Sequence, residues 1–297
     1  MRRLIGLGTA LGVLLCGAGP AAAAEALFGY VYTTDVMPKG KVEVEQWLTA
    51  REGQARGRFH DLQMRTEVEY GVTDNFQLAG YLNYSYIDAH RNSPSGLTEG
   101  LDIPANHDPA KPFSAFRYDG VSAEAIWRVM SPYKDPVGLA FYAEPEVGPR
   151  ENALELKGLL QKNFMDDRLV LAANLWGEIE SEKVEGEGWE KASVWELDLG
   201  ASYRFRPKWS VGLEFRNHNE FSGWTLSSNA QEHTAYFLGP NIHYGGERWF
   251  ATLSALYQVG ARGFNDEQRE AMAHGRIYGD EHTTWDGVRL KIGRTFQ

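Results

Sequence analysis

The chain has 297 residues, with 40 Asp+Glu against 30 Lys+Arg and a formal net charge of −10. That balance argues against a nucleic-acid partner. A single cysteine, Cys16, excludes an intramolecular disulfide, and no apolar run beyond the N-terminus reaches the 18 or more residues of a membrane-spanning helix.

In chain order, the first element is a leader. Arg2 and Arg3 precede a short apolar core, Leu4 to Gly19, and Ala22-Ala23-Ala24 supply small residues for cleavage. This is the pattern of a secretory signal peptide, expected over residues 1–24. With Arg2 and Arg3 gone, the 30 Lys+Arg fall to 28 against 40 Asp+Glu, a net of −12. Residues 25–39, "EALFGYVYTTDVMPK", are apolar and aromatic. They are expected to form a periplasmic segment that partly plugs whatever follows.

From residue 40 to 297 one unit recurs. "KVEVEQWLT" at Lys41–Thr49 sets Val42, Val44 and Leu48 against Glu43, Glu45 and Trp47. Alternation with a period of two puts the two sets on opposite faces of a strand. It repeats at Leu62–Val72, Phe76–Tyr86, Val121–Val129, Val137–Val147, Leu154–Phe164, Leu169–Ile179, Trp195–Phe205, Trp209–Phe215, Tyr236–Tyr244, Trp249–Val259 and Val288–Phe296. Most of these twelve segments have the length a tilted strand needs to cross a bilayer, and none keeps a helical period.

The links alternate too. Thr73–Asn75, Ser131–Pro136, Met165–Arg168, Arg206–Lys208 and Gly245–Arg248 are short and rich in turn formers. Asp88–Arg117, Ser181–Lys191, Asn219–Glu232 and Ala261–Thr284 are long and polar. Short turns on one side and long loops on the other predict an all-β fold, a closed antiparallel transmembrane β-barrel of about twelve strands in the outer membrane. Tyr70, Phe76, Phe164, Phe205, Trp209, Tyr244, Trp249 and Phe296 flank the short turns on the lipid parity, as an interfacial girdle should.

The last strand, "VRLKIGRTFQ", resembles the terminal strand of Gram-negative outer-membrane barrels, which ends in an aromatic. Here Gln297 follows Phe296, and Arg294 stands where an aromatic is common. "TTDVMPKGKVEVEQW" is similar to the opening of porin-like proteobacterial proteins of unassigned function. The resemblance implies residence in the outer membrane of a Gram-negative bacterium, contact with its lipid, and handling by the barrel-assembly machinery through the C-terminal strand.

The opposite parity faces the lumen. Its acids are Glu43, Glu45, Glu67, Glu69, Glu124, Glu144, Glu146, Glu155, Glu178, Glu180, Glu196, Asp198 and Glu214; its bases are Arg65, Arg128, Lys157, Arg204, Arg216, Arg289 and Lys291, with His218 beside them. Thirteen against seven is an acidic lining, which favours cations. The competing reading is a ladder of charges that neutralise one another across strands. Register from the turns predicts Asp198 opposite Arg216, Glu196 opposite His218, and Glu155 opposite Glu178 with Lys157 to relieve them. Inward Trp47, Tyr81, Tyr142 and Trp176 narrow the bore.

The best Ser/His pair on neighbouring strands is His243 and Ser254. A four-residue turn at Gly245–Arg248 predicts His243 opposite Phe250 and Ser254 opposite Gly239, four residues or about 13 Å apart, so no dyad forms. Outer carboxylates such as Glu180 with loop residues His90, His107 and His274 remain candidates for a hydrolase or metal site. No metal-ligand spacing or cofactor motif is present, so none is expected. The expected function is a narrow, weakly cation-preferring, porin-like channel for small solutes. A receptor, adhesin or structural barrel acting through its loops is the alternative, and an outer-membrane hydrolase a second.

Overall fold

The computed structural model describes residues 26–100, 103–104, 106–184, 188–279 and 282–296. The signal-peptide expectation and Gln297 lie outside these residues. Twelve long strands close on themselves: β1 (Val42–Glu52), β2 (Arg58–Thr73), β3 (Phe76–His90), β4 (Phe113–Met130), β5 (Gly138–Val147), β6 (Glu151–Phe164), β7 (Leu169–Val184), β8 (Gly188–Arg206), β9 (Trp209–Ser222), β10 (Gln231–Gly245), β11 (Trp249–Gly263) and β14 (Trp285–Phe296). Between β11 and β14 lie one short helix, α1 (Asp266–Glu270), and a ribbon of two-residue strands, β12 (Met272–Ala273) and β13 (Arg276–Ile277). Each barrel strand pairs antiparallel with its chain neighbour, and β1 pairs with β14 to shut the ring. Closure leaves no free edge, so backbone polar groups are paired inside hydrocarbon.

The twelve strands, their order and their facing agree with the alternation read from the sequence, but they run longer. β8 has 19 residues and β4 has 18. The extra length lies at the end away from the tight turns. Beyond the bilayer both faces of a strand are wet, so the apolar/polar alternation that marks a strand in sequence fades while the hydrogen-bond ladder continues.

Lipid-facing residues such as Val68, Leu78, Leu156, Leu175 and Leu213 are exposed on the outside. Aromatics mark both ends of this band, for example Phe76 below and Tyr86 above on β3. Ten residue steps at about 3.4 Å, tilted by about 40°, span about 26 Å, the height of a lipid-facing band. Arg294 points outward at the lower rim and lies over Trp249 and Phe296, 4.9 and 5.0 Å from their ring centroids. An amphipathic arginine at an interface behaves this way, so its place in the terminal strand is compatible with lipid.

The registers Asp198–Arg216, Glu196–His218 and Glu155–Glu178 are as expected. One is corrected. Around the β10–β11 turn Gly245 pairs with Phe250, so His243 faces Thr252 and Ser254 faces Asn241. Gly246 donates to the Trp249 carbonyl, which centres the turn one residue further along the chain and so moves each partner by two.

Candidate functional site

The lumen is the candidate site, and its lower half is filled by the chain's own residues 26–39. Gly40 donates to the Gly71 carbonyl at the base of β2, which starts the segment inward from the periplasmic rim. From there it is carried by side chains that project from the wall. Gln77 accepts from the Met37 amide at 2.7 Å, Gln161 from the Thr34 amide at 2.8 Å, and Asn174 from the Tyr32 amide at 2.7 Å. Glu214 takes three consecutive amides, Gly29, Tyr30 and Val31, at 2.9, 2.7 and 3.2 Å. Arg289 donates to the Gly29 carbonyl at 3.1 Å. An irregular segment buried at membrane depth needs such partners, since no water satisfies it there.

Apolar contacts complete the fit. Phe28 and Met37 are fully buried. Val36 packs with Ile126, Ala140, Tyr142 and Leu159, and Tyr30 with Phe237 and Leu256. These wall residues face the lumen yet are oily. They are the feature that sequence reasoning missed: an apolar side chain on the aqueous parity implies that something apolar sits against it. Gly200 shows how close the approach is, because a β-carbon there would lie 2.8 Å from the Phe28 ring.

The lumen cations are engaged with acids and rings. Arg65 pairs with Glu144 and lies 4.0 Å from the Tyr81 centroid. Lys157 meets Glu155 at 2.9 Å and sits 4.8–4.9 Å from Tyr32, Tyr142 and Trp176. Arg216 bonds Glu196 and reaches Asp286 at 2.8 Å; Asp198, its register partner, is 3.8 Å away and accepts from the Trp176 indole at 2.9 Å instead. Arg216 and Arg289 lie over Tyr30, 5.0 and 3.8 Å from its centroid. Lys291 lies 3.6 Å from the Trp47 centroid.

The acids are less evenly matched. Glu43 faces Glu69 and Glu45 faces Glu67 directly across β1 and β2, with Glu124 close by on β4. Neither carboxylate oxygen of Glu67 has a hydrogen-bond partner, although the residue is 1% exposed. Between these glutamates and the segment lies a cavity of about 40 Å³, also lined by Tyr32, Asp35, Trp47 and Lys291. Above the segment a larger cavity, about 320 Å³, is lined by Arg65, Asn83, Glu146 and Arg289, and toward the outer rim by Asp119 and Arg150. Glu178 is half-buried beside Glu155.

Two expected lining residues stand elsewhere. Arg128 bonds the Asp74 carbonyl and Arg204 the Asp166 carbonyl, both at the periplasmic turns. Their parity is inward, but they sit past the end of the bore. The hydrolase constellation does not assemble among the described residues: no acidic or histidine cluster includes His90, His107 or His274. His243 bonds Thr252, and Ser254 donates to Glu214 at 2.8 Å.

The sequence profile of a family of unknown function, DUF6662, matches residues 20–296. The chain belongs to that family. No curated protein sequence matches it. Among solved structures it is similar to the COG4313 outer membrane channel from Pseudomonas putida F1, with 9% identity, a TM-score of 0.55, and 89% of this chain and 98% of that one covered. The NanC porin aligns at 9% identity and a TM-score of 0.49, over 86% of this chain and 99% of that one. The KdgM porin aligns at 9% identity and 0.43, over 86% and 98%. The likeness to the Pseudomonas channel is one of fold, the closed porin-like barrel.

Proposed function

We propose that the protein is a narrow channel of the Gram-negative outer membrane that weakly prefers small cationic solutes and is held shut at its periplasmic half by residues 26–39. Surrounding lipid and the barrel-assembly machinery, reading the C-terminal strand, are its expected partners.

The observation that carries this reading is the double row of glutamates. Like charges directly opposite one another destabilise a sheet pair, so Glu43–Glu69 and Glu45–Glu67 cost the barrel stability. Lys291 lies beside these glutamates, but one cation does not offset that cost in full, and Arg65, Lys157 and Arg216 each bond a carboxylate outside this group. The remaining acidic surface gives the bore a field that draws cations and repels anions. The segment that covers it is held by hydrogen bonds, packing and the cations over Tyr30 and Tyr32, contacts that make it releasable.

The test is reversal potential across a KCl gradient, on purified protein in planar bilayers, with and without residues 26–38. A cation-selective potential, larger currents after the deletion, and reduced selectivity after Glu45→Gln, Glu67→Gln, Glu69→Gln and Glu124→Gln are expected. Silence in both forms would refute a channel and favour a loop-borne role. An anion-selective potential would refute the acidic-lining argument.

A further inference from the structure

At the outer end of the lumen, remote from the glutamate rows, four side chains converge from three elements. His218 and Glu220 come from β9, His233 from β10, and His282 from the loop before β14. One donor atom from each lies within 4.8 Å of the other three. The Nε2 atoms of His233 and His282 are 2.7 Å apart. Glu220 Oε2 is 3.3 Å from His233 Nε2 and 3.8 Å from His218 Nε2. All three histidines are buried, and His218 Nε2 has no hydrogen-bond partner.

We propose that His218, Glu220, His233 and His282 bind a single divalent transition-metal ion of the zinc class. The reading does not depend on the channel proposal.

Spacing, donor chemistry and orientation all favour a metal ion here. The first is spacing. Ligand atoms 2.0–2.1 Å from a tetrahedral zinc stand about 3.3 Å from one another, and the separations of 2.7, 3.3 and 3.8 Å bracket that value. The remaining pairs lie within 4.8 Å, so side-chain adjustment of about an ångström draws the four donors onto one ion. The second is donor chemistry. Three imidazoles and one carboxylate suit zinc, nickel or copper, whereas calcium and magnesium take six or more oxygens. The third is orientation. His218 Nδ1 bonds Glu196 Oε2 at 2.9 Å, and Arg216 anchors Glu196 in turn. A carboxylate that fixes one ring nitrogen and leaves the other aimed at a common point is the usual support for a metal-bound histidine.

The site also explains why a polar loop enters the lumen. Ile277, Tyr278, His282 and Thr283 are buried, held by Gln258, which donates to the Ile277 and Thr283 carbonyls at 3.0 Å. Metal ligation adds a bond from that loop to β9 and β10, and so fastens the loop across the outer mouth.

The test is zinc titration of refolded, chelator-treated protein carrying no polyhistidine tag, read by calorimetry, with cobalt substitution read by visible absorption. One equivalent of zinc is expected, tight enough to compete with a micromolar chelator, and a tetrahedral cobalt spectrum. His282→Ala, whose residue lies outside the barrel strands, should weaken binding by about 100-fold or more, and Glu196→Gln by about 10–100-fold. Heat-modifiable mobility on gels checks that each variant is a closed barrel; His233→Gln, which keeps the volume, replaces any variant that fails it. No saturable zinc binding, or binding that His282→Ala and His233→Gln both leave unchanged, overturns the proposal. Equal affinity for magnesium also overturns it.

Discussion

Glu214→Gln should loosen residues 26–39 without opening the barrel. In the wild type one oxygen of Glu214 accepts from the Tyr30 and Val31 amides; the other accepts from the Gly29 amide, Asn241 and Ser254. A glutamine keeps one acceptor oxygen and turns the other into a donor. Depending on which way the amide faces, the segment loses the acceptor of one amide, Gly29, or of two, Tyr30 and Val31. Each such loss costs about 1–3 kcal/mol, so docking weakens by at least about 1 kcal/mol and, averaged over the two orientations, by about 3. At 1.4 kcal/mol per factor of ten, that raises the undocked-to-docked ratio about 100-fold. The wall is spared, since β9 keeps its ladders to β8 and β10. Val36 is 4% exposed and bonds through packing only, so Val36→Cys reports on undocking. The chain's one cysteine, Cys16, precedes the described residues and is replaced in the assay. A water-soluble maleimide should modify Cys at position 36 about 100-fold faster in the Glu214→Gln background. An unchanged rate refutes the anchoring argument. Loss of heat-modifiable mobility refutes it differently, by showing that Glu214 holds the wall.

Leu213→Arg should impair insertion by about 2–4 kcal/mol, because Leu213 faces lipid near mid-bilayer; Leu213→Ala is its control, and equal recovery of folded barrel from both would reverse the assigned facing. Gly212→Ser is unsuitable as a control, since a β-carbon there would lie 2.6 Å from the Ala201 carbonyl. Trypsin added to intact cells should cut after the exposed Lys111 and Arg269 and spare the half-buried Arg276, whose guanidinium bonds the Gln258 carbonyl; cleavage at the tight turns instead would invert the topology.

The barrel was legible because lipid and water impose opposite demands on alternate residues, and turns impose a third. Those demands act locally, so strand number, facing and the 198–216 register could be read directly. In the sequence, residues 261–284 read as a long polar loop. It is exposed at Arg269 but buried at Ile277 and His282, because its apolar and imidazole groups find partners on β9, β10 and β11 that no local pattern announces. The histidine cluster was hidden for the same reason. His218 was visible as an inward residue, but His233 precedes the alternating stretch at Tyr236–Tyr244, on the part of β10 that runs beyond it, and His282 reaches them only through the path of a long loop. The misplaced β10–β11 register came from the turn, whose centre lies one residue further along the chain and so moves every partner by two.

The anchors of residues 26–39 have a mechanical consequence. Gln77, Gln161, Asn174, Glu214 and Arg289 belong to β3, β6, β7, β9 and β14, spaced around the whole circumference. A hollow ring of strands has little to resist flattening under sideways load, but spokes joined at a hub hold it round. The segment is therefore a brace as well as a stopper. Its departure would empty the bore and, in the same event, let the wall change its cross-section, so the width of the open state is set by a softer ring than the one that encloses the segment.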